Sequence, residues 1–220
     1  MMTNLFMIFD PSTSNSLSLN WISNIIPLLI FPLSYWKIPS RMMMFMLTMM
    51  KIMSNEMKII LGTLKYNLVM MSLFLFIFIN NIYGLYPYIF TSTSHLIMTF
   101  TMALPLWMSL ILYGIMKKSM MMMAHLVPMG SPLILSFFMV IIETVSNLIR
   151  PLTLSIRLTA NMISGHLLLS LLSSAMNNNE KMMMMMMPML MILLMLETAV
   201  AIIQSYVFSM LMALYMSEIN

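Results

Sequence analysis

ETVSNLIRPLTLSIRLTANMISGHLLLSLLSS, residues 143–174, decides the fold, because it holds one arginine, Arg157, in the middle of a long apolar run. A guanidinium remains protonated at any physiological pH. Placing it at the centre of a bilayer costs at least ~2.5–3.5 kcal/mol on insertion scales. A membrane segment that keeps such a charge is expected to use it. We therefore predict that the rest of the chain holds Arg157 against an acidic partner.

The composition excludes a soluble globular domain. Of the 220 residues, 61% are hydrophobic and 7% are charged, and so few charges cannot cover the surface of a soluble fold. Several apolar runs reach the ~20 residues that a helix needs to cross a ~30 Å hydrocarbon core, and they lack the alternation of a membrane β-barrel. Since there is no cysteine, disulfides, cysteine-ligated metals and thiol nucleophiles are excluded. We predict an all-α polytopic membrane protein with a single membrane domain over residues 1–220.

The apolar pattern predicts three ordinary transmembrane helices, one interfacial amphipathic helix, and a hairpin of two long tilted membrane helices. The ordinary spans are predicted at 14–36, 66–89 and 96–116, and the hairpin at 133–176 and 182–216 with a turn at 177–181. At 1.5 Å per residue the first long helix would extend ~66 Å, about twice the hydrocarbon core, so it must tilt, bend or run partly along the membrane.

Residues 40–58 differ from the spans because polar side chains recur among Met, Phe and Leu at three- and four-residue spacing. This spacing is typical of an amphipathic helix that lies in the membrane interface, and a plain loop between two spans is the alternative. The polar positions are Arg41, Thr48, Lys51, Asn55 and Lys58. Basic residues are concentrated in 37–65 and at Lys117–Lys118, so the positive-inside rule predicts that these two loops share one side of the membrane.

The polar residues of the first long helix form one stripe. At 100° per residue it consists of Glu143, Asn147, Arg150, Arg157 and Asn161. His166 lies nine residues beyond Arg157 and falls on about the opposite face. We therefore predict two working faces, one that presents Arg157 and one that brings His166 into a separate polar pocket.

The second long helix carries Glu197 and Gln204, which are seven residues apart and share a face. If the hairpin pairs in simple register about a turn near residue 179, Glu197 lies near Asn161 and Gln204 lies near Leu154. In that register both lie within about a turn of Arg157.

Spaced ionisable groups inside a membrane indicate a proton path. Glutamate and histidine exchange protons in proteins near neutral pH, whereas arginine cannot release its proton and would act as a fixed positive barrier. The sequence has no phosphate-binding loop, metal-ligand cluster or activated serine. We therefore expect no cofactor and no bound metal.

Each of these residues also has a purely structural interpretation. Arg157 could form a static ion pair with Glu197, and Gln204 could merely bridge two helices. Glu143 and Arg150 could be charges near the interface whose side chains reach the headgroups. His166 could be a helix-packing histidine.

Two segments, SIRLTANMISGHLLL at 155–169 and LETAVAIIQSYVFSML at 196–211, resemble subunit a of the F-type ATP synthase in its mitochondrial form. The resemblance is most specific around Arg157. It extends in weaker form over nearly the whole chain, including MTNLF at 2–6, ALPLW at 103–107 and AHLVPMGSP at 124–132.

This resemblance implies a proton-translocating stator subunit that is not an enzyme on its own. It implies that Arg157 faces the carboxylates of a rotating c-ring and prevents direct proton leakage between two offset aqueous half-channels. By resemblance, His166 and Glu197 belong to the inlet half-channel and Glu143 to the outlet half-channel. Asn161 and Gln204 are implied polar neighbours of the arginine. The resemblance supplies no role for Arg150.

The implied partners are the c-ring, the other Fo stator and peripheral-stalk subunits, and membrane lipids, with no nucleic acid. The implied location is the mitochondrial inner membrane, with the N-terminus in the intermembrane space and the basic loops in the matrix. One alternative is a secondary transporter with Arg157 on an anionic substrate, which predicts an inverted repeat that the sequence does not show. The other is a structural or quinone-linked subunit of a respiratory complex, which would leave the polar set unexplained.

Overall fold

The computed structural model describes residues 5–14, 17–30, 37–62, 66–125, 127, 132–176 and 180–219, and these ranges contain helices and no β-strand. The α-helices are α1 Ile26–Ile30, α2 Arg41–Leu61, α3 Asn67–Gly84, α4 Leu96–His125, α5 Leu133–Met176 and α6 Glu180–Ile219. Short 3-10 helices cover Leu5–Phe9, Leu19–Asn24 and Ser92–Ser94. The predicted all-α class is therefore confirmed for the described residues.

Within the described ranges, four helices are long and apolar enough to cross a membrane. These segments are Asn67–Gly84, Leu96–Lys117, Leu135–Met176 and Met183–Ser217. They correspond to the predicted second and third spans and to both arms of the predicted hairpin. At 1.5 Å per residue, the 44 residues of α5 and the 40 of α6 extend ~66 and ~60 Å, so each exceeds one straight crossing.

The predicted span at 14–36 has a different local structure where it is described. A 3-10 helix at Leu19–Asn24 is followed by the short helix α1, whose second residue is Pro27. Proline is tolerated in the first turn of a helix because its missing N–H would have no intrahelical acceptor there. Residues 15–16 and 31–36 lie outside the described part of the chain, so a single span over 14–36 stays a prediction.

Helix α2 has well-defined ends. The Ser40 side chain accepts a hydrogen bond from the Met43 N–H, which caps the first turn. Gly62 follows the last turn with φ 63°, a left-handed conformation that glycine adopts without Cβ strain. Every polar position predicted for this helix is exposed: Arg41, Thr48, Lys51, Asn55 and Lys58. Its charges keep α2 out of the set of candidate spans, and its placement in the interface remains a prediction.

Helices α4 and α6 extend beyond the predicted spans, and α3 ends at Gly84, before the predicted end at residue 89. Helix α4 continues past Lys117 and Lys118 to His125, because lysine ends an apolar span without ending a helix and methionine is a good helix former. Helix α6 begins at Glu180, so the last two residues of the predicted 177–181 turn are helical. Residues 177–179 lie outside the described part of the chain.

The core lies where α3 meets α6, with α2, α4 and α5 packed around them. Phe74 and Ile77 of α3 join Phe208 and Met212 of α6 in this cluster, and Leu158 joins it from α5. Helix α6 also buries a small residue at every fourth position: Ala201, Ser205, Ser209 and Ala213. Small residues at this spacing allow helices to approach closely, which is how membrane helices associate without a hydrophobic driving force.

Candidate proton-transfer site in the helix hairpin

Arg157 lies near the middle of α5 and its side chain is exposed on the outside of the bundle. Thr153 and Ala160, each about one turn from Arg157 on that side of α5, are also exposed, whereas Leu158 is buried in the core. Neither carboxylate oxygen of Glu197 has a hydrogen-bond partner among the described residues. The static internal ion pair between Arg157 and Glu197 is therefore not formed in this structure.

One turn after Arg157, a hydrogen bond joins the two helices of the hairpin. The Asn161 side-chain Nδ2 donates to the Oε1 atom of Gln204 at 3.1 Å, and Gln204 is 6% exposed. A buried amide that is left unpaired is costly, so this pair favours one alignment of the helices. The Asn161–Gln204 pair lies between α5 and α6, one turn of α5 from Arg157.

The observed register differs from simple pairing about the turn. Asn161 lies opposite Gln204 rather than Glu197, a difference of seven residues or about two turns. The polar groups still gather near Arg157, but Glu197 lies further toward the turn than simple pairing predicts. The reason is that side-chain contacts along two long helices set their relative level, and the position of the connecting turn does not.

Glu197 lies against the backbone of α5 at Gly165. A Cβ atom added at Gly165 would collide with the Glu197 carboxylate, so the absence of a side chain there makes room for it. Glu197 is 5% exposed, and both its oxygens are buried without a hydrogen-bond partner among the described residues. Such an unsatisfied carboxyl group costs free energy, and groups of this kind inside membranes are retained for function.

His166 follows Gly165 and is half-buried on the side of α5 away from Arg157. The main chain of Gly84, at the end of α3, lies close to its imidazole. The Phe9 ring meets it edge-on with ring centroids 6.4 Å apart. Its Nε2 atom is buried and lacks a hydrogen-bond partner among the described residues. His166 and Arg157 therefore lie on different sides of α5, and Glu197 contacts α5 at Gly165, the residue before His166.

Sequence analysis missed a buried polar group in the last turns of α3. Asn81 of α3 is fully buried, and neither atom of its amide has a hydrogen-bond partner in the described part of the chain. Residues 91–94 are four consecutive hydroxyl residues, each 4–5% exposed, and the 3-10 helix Ser92–Ser94 packs against α3, α4 and α5. Thr91 lies against Gly84 and close to Met162. The signal available in the sequence was the run of hydroxyl residues at 91–94 between two predicted spans.

Glu143 and Arg150 are not gathered with the other residues. Glu143 is half-buried in α5, and its position lies fourteen residues or ~21 Å along the helix from Arg157. The guanidinium of Arg150 lies over the ring of Tyr215 in α6, 5.0 Å from its centroid. The described residues hold no group of three or more histidine, cysteine or acidic residues that could bind a metal.

These features define a polytopic helical membrane protein with ionisable side chains inside its membrane helices. The family model of the ATP synthase A chain matches residues 17–217. The sequence is 51% identical over 224 residues to ATP synthase subunit a of Drosophila yakuba, and both chains are covered completely. It is 51% identical over 226 residues to ATP synthase subunit a of Anopheles gambiae, again over both whole chains. The chain belongs to the ATP synthase A chain family.

Membership of this family makes the chain a proton-translocating component of the membrane sector, and not the nucleotide-binding catalytic subunit. It also implies a complex with other Fo subunits. The predicted family and general activity are therefore confirmed.

Proposed function

We propose that this chain loads and unloads protons on the carboxylates of a rotating c-ring through two offset aqueous half-channels, with Arg157 as the barrier between them. One observation carries the proposal: Arg157 is exposed on the outer surface of a long, mainly apolar membrane helix and forms no ion pair with Glu197. A cation placed there at a cost of at least ~2.5–3.5 kcal/mol needs an acidic partner outside this chain.

The physical chemistry of a ring carboxylate fits this role. A carboxylate that turns into lipid must carry a proton, because a bare charge there is expensive. Opposite Arg157 it ionises, since a neighbouring positive charge favours the charged form. It therefore gives its proton to one channel and takes another from the second channel. Each proton that crosses delivers ~2.3 kcal/mol per 100 mV of membrane potential.

Two separate paths fit the spacing of ionisable residues along α5. His166 and Glu197 form the inlet path, and the Asn161–Gln204 pair connects it to the region of Arg157. Glu143 belongs to the outlet path. Glu143 and His166 are twenty-three residues apart, ~34 Å along the helix, with Arg157 between them. Arg157 therefore separates the two groups along α5, and they suit two different paths.

The proposed architecture is three ordinary spans, an interfacial α2, and a tilted hairpin of α5 and α6 in the mitochondrial inner membrane. The basic residues exposed at Lys37, Lys58 and Lys117 would face the matrix by the positive-inside rule. The N-terminus and the hairpin turn would then face the intermembrane space. Membrane lipids, the peripheral stalk and the other stator subunits complete the expected partners.

Three differently oriented faces of α2 support its interfacial placement. One face packs on the core through Met53, Met57 and Leu61, and the opposite face carries the exposed polar residues. A third face, between these two, exposes the large apolar side chains of Phe45, Met49 and Ile52. The acidic residue Glu56 is also exposed on this face. A helix beside a membrane protein at the bilayer surface needs a protein-facing, a water-facing and a lipid-facing side.

We expect fluorophores attached at positions 45 and 55 of α2 to report different surroundings. In membranes with the assembled complex, a label at Phe45→Cys should be quenched by lipid-attached quenchers. A matched label at Asn55→Cys should be quenched by aqueous iodide. Equal iodide quenching at both positions would show that α2 lies in water and would contradict the interfacial placement.

Cysteine crosslinking tests the proposed function directly, since the native chain contains no cysteine. Position 157 should crosslink to a c-ring subunit in native membranes, whereas position 166 should not, because it lies on the other side of α5. Position 156, exposed beside Arg157, serves as a matched site that leaves the arginine in place. Failure of both 156 and 157 to reach the ring, with a crosslink from 157 to 197 instead, would overturn the ring-facing assignment.

A further inference from the structure

Arg150 remains without a role in the proposed proton path, yet it makes a defined contact between the two long helices. Its guanidinium carbon lies 5.0 Å from the centroid of the Tyr215 ring, within the ~6 Å that a cation–π interaction requires. Both side chains are partly buried, and partial desolvation strengthens such a contact.

This contact has the same register as the amide pair near Arg157. Arg150 lies eleven residues before Asn161, and Tyr215 lies eleven residues after Gln204. Eleven residues are close to three full turns of an α-helix, so the two contacts lie on the same face of each helix, ~16.5 Å apart. They therefore mark two points of a single antiparallel seam between α5 and α6.

The seam between these two points is packed with apolar side chains. Leu154 and Leu158 of α5 belong to the same buried cluster as Phe208 and Met212 of α6. Apolar burial is non-directional, so such a stretch tolerates a slide of one helix past the other better than a directional contact does. The directional contacts at its two ends are therefore the groups that specify the level.

We propose that Arg150 is a positioning residue that, through Tyr215, pins the register of the α5–α6 hairpin at the end far from its turn. The pin keeps Gln204 level with Asn161, and so holds the polar pair in place behind Arg157. The competing hypothesis is that the positive charge of Arg150 acts on the outlet path and does not need Tyr215. It predicts that substitution of Arg150 has an effect and that substitution of Tyr215 has none.

Crosslinking between cysteines in the seam measures the register. In membranes with the assembled complex, paired cysteines at 154 and 212 report the native level, and cysteines at 154 and 208 report a slide of one turn. Tyr215→Leu should shift the ratio of the two crosslinks by about tenfold toward 154–208, as the loss of a partly desolvated cation–π contact permits. Tyr215→Phe retains the aromatic face and should keep the native ratio.

Arg150→Gln should shift the ratio as Tyr215→Leu does, and the double variant should add little to either, because both changes remove one contact. Arg41→Gln, which removes an exposed cation from α2, is the matched control and should leave the ratio unchanged. A native ratio in Tyr215→Leu would overturn the pin. So would a shift in Arg150→Gln that Tyr215→Leu does not reproduce, since that result assigns the effect to another interaction of Arg150.

The effect of the register on proton coupling rests on the proposed function. Measuring proton leakage through the same membranes tests that effect separately from the register itself. A shifted ratio with increased leakage supports both the pin and the barrier role of Arg157. A shifted ratio with normal coupling supports the pin and shows that the alignment of Gln204 with Asn161 is not needed for the barrier. Because the crosslinks report geometry alone, a failure of the barrier role would leave the measurement of the register intact.

Discussion

Replacing Arg157 with alanine is expected to abolish proton-driven ATP synthesis and to make the membrane sector passively permeable to protons. Without the guanidinium, a ring carboxylate that faces α5 no longer has a positive charge to favour its ionised form. It would keep its proton while it passes between the two half-channels. We expect synthesis to fall by ~100-fold or more, the loss typical of removing a preorganised charge from a reaction site.

The loss should not arise from misfolding. The Arg157 side chain is exposed and does not belong to the buried core. Its removal also relieves the insertion cost of ~2.5–3.5 kcal/mol. Native electrophoresis should therefore show an assembled complex, and leakage is measured as decay of a pH gradient in vesicles. Arg41→Ala removes an exposed cation from α2 and should leave synthesis unchanged. Normal coupled synthesis by the Arg157→Ala variant would refute the barrier role.

The features of the fold that depend on length and apolar periodicity could be predicted from the sequence. The long helix predicted at 133–176 begins and ends at Leu133 and Met176 in the structure, because Pro132 precedes it and a polar asparagine run follows it. The placement of Arg157 and His166 on different sides of the helix follows from 100° per residue. Such properties belong to a single helix and need no knowledge of its neighbours.

The features that depend on contacts between helices could not be predicted in the same way. The pairing of Asn161 with Gln204 depends on how α5 and α6 pack, and no single-helix periodicity contains that information. The same holds for the contact of Arg150 with Tyr215. Asn81 was visible as a polar residue at the end of an apolar span, but its complete burial is a property of the assembled bundle.

Glu197→Gln is expected to slow proton flow through the membrane sector while the complex still assembles. Glutamine has nearly the same shape as glutamate but cannot release a proton at this position. Positioned proton-transfer groups contribute ~10²–10⁴-fold to rates, and since channel water can replace part of this, we expect a loss of about tenfold or more. The change also removes an ionisable group that is 5% exposed, which favours folding. The exposed Glu56→Gln of α2 is the matched control.

Gly165→Ala separates the position of the Glu197 carboxyl group from its chemistry. The added Cβ would occupy the place of that carboxyl group, so the flexible side chain must move while it keeps its ability to ionise. Alanine is ~1 kcal/mol more favourable than glycine inside a helix, so reduced helix stability would not explain a loss. We therefore expect Gly165→Ala to slow proton flow in the same direction as Glu197→Gln, with little further loss in the double variant. Proton flow is measured in vesicles under an imposed membrane potential, and an unchanged rate in Glu197→Gln would remove this residue from the path.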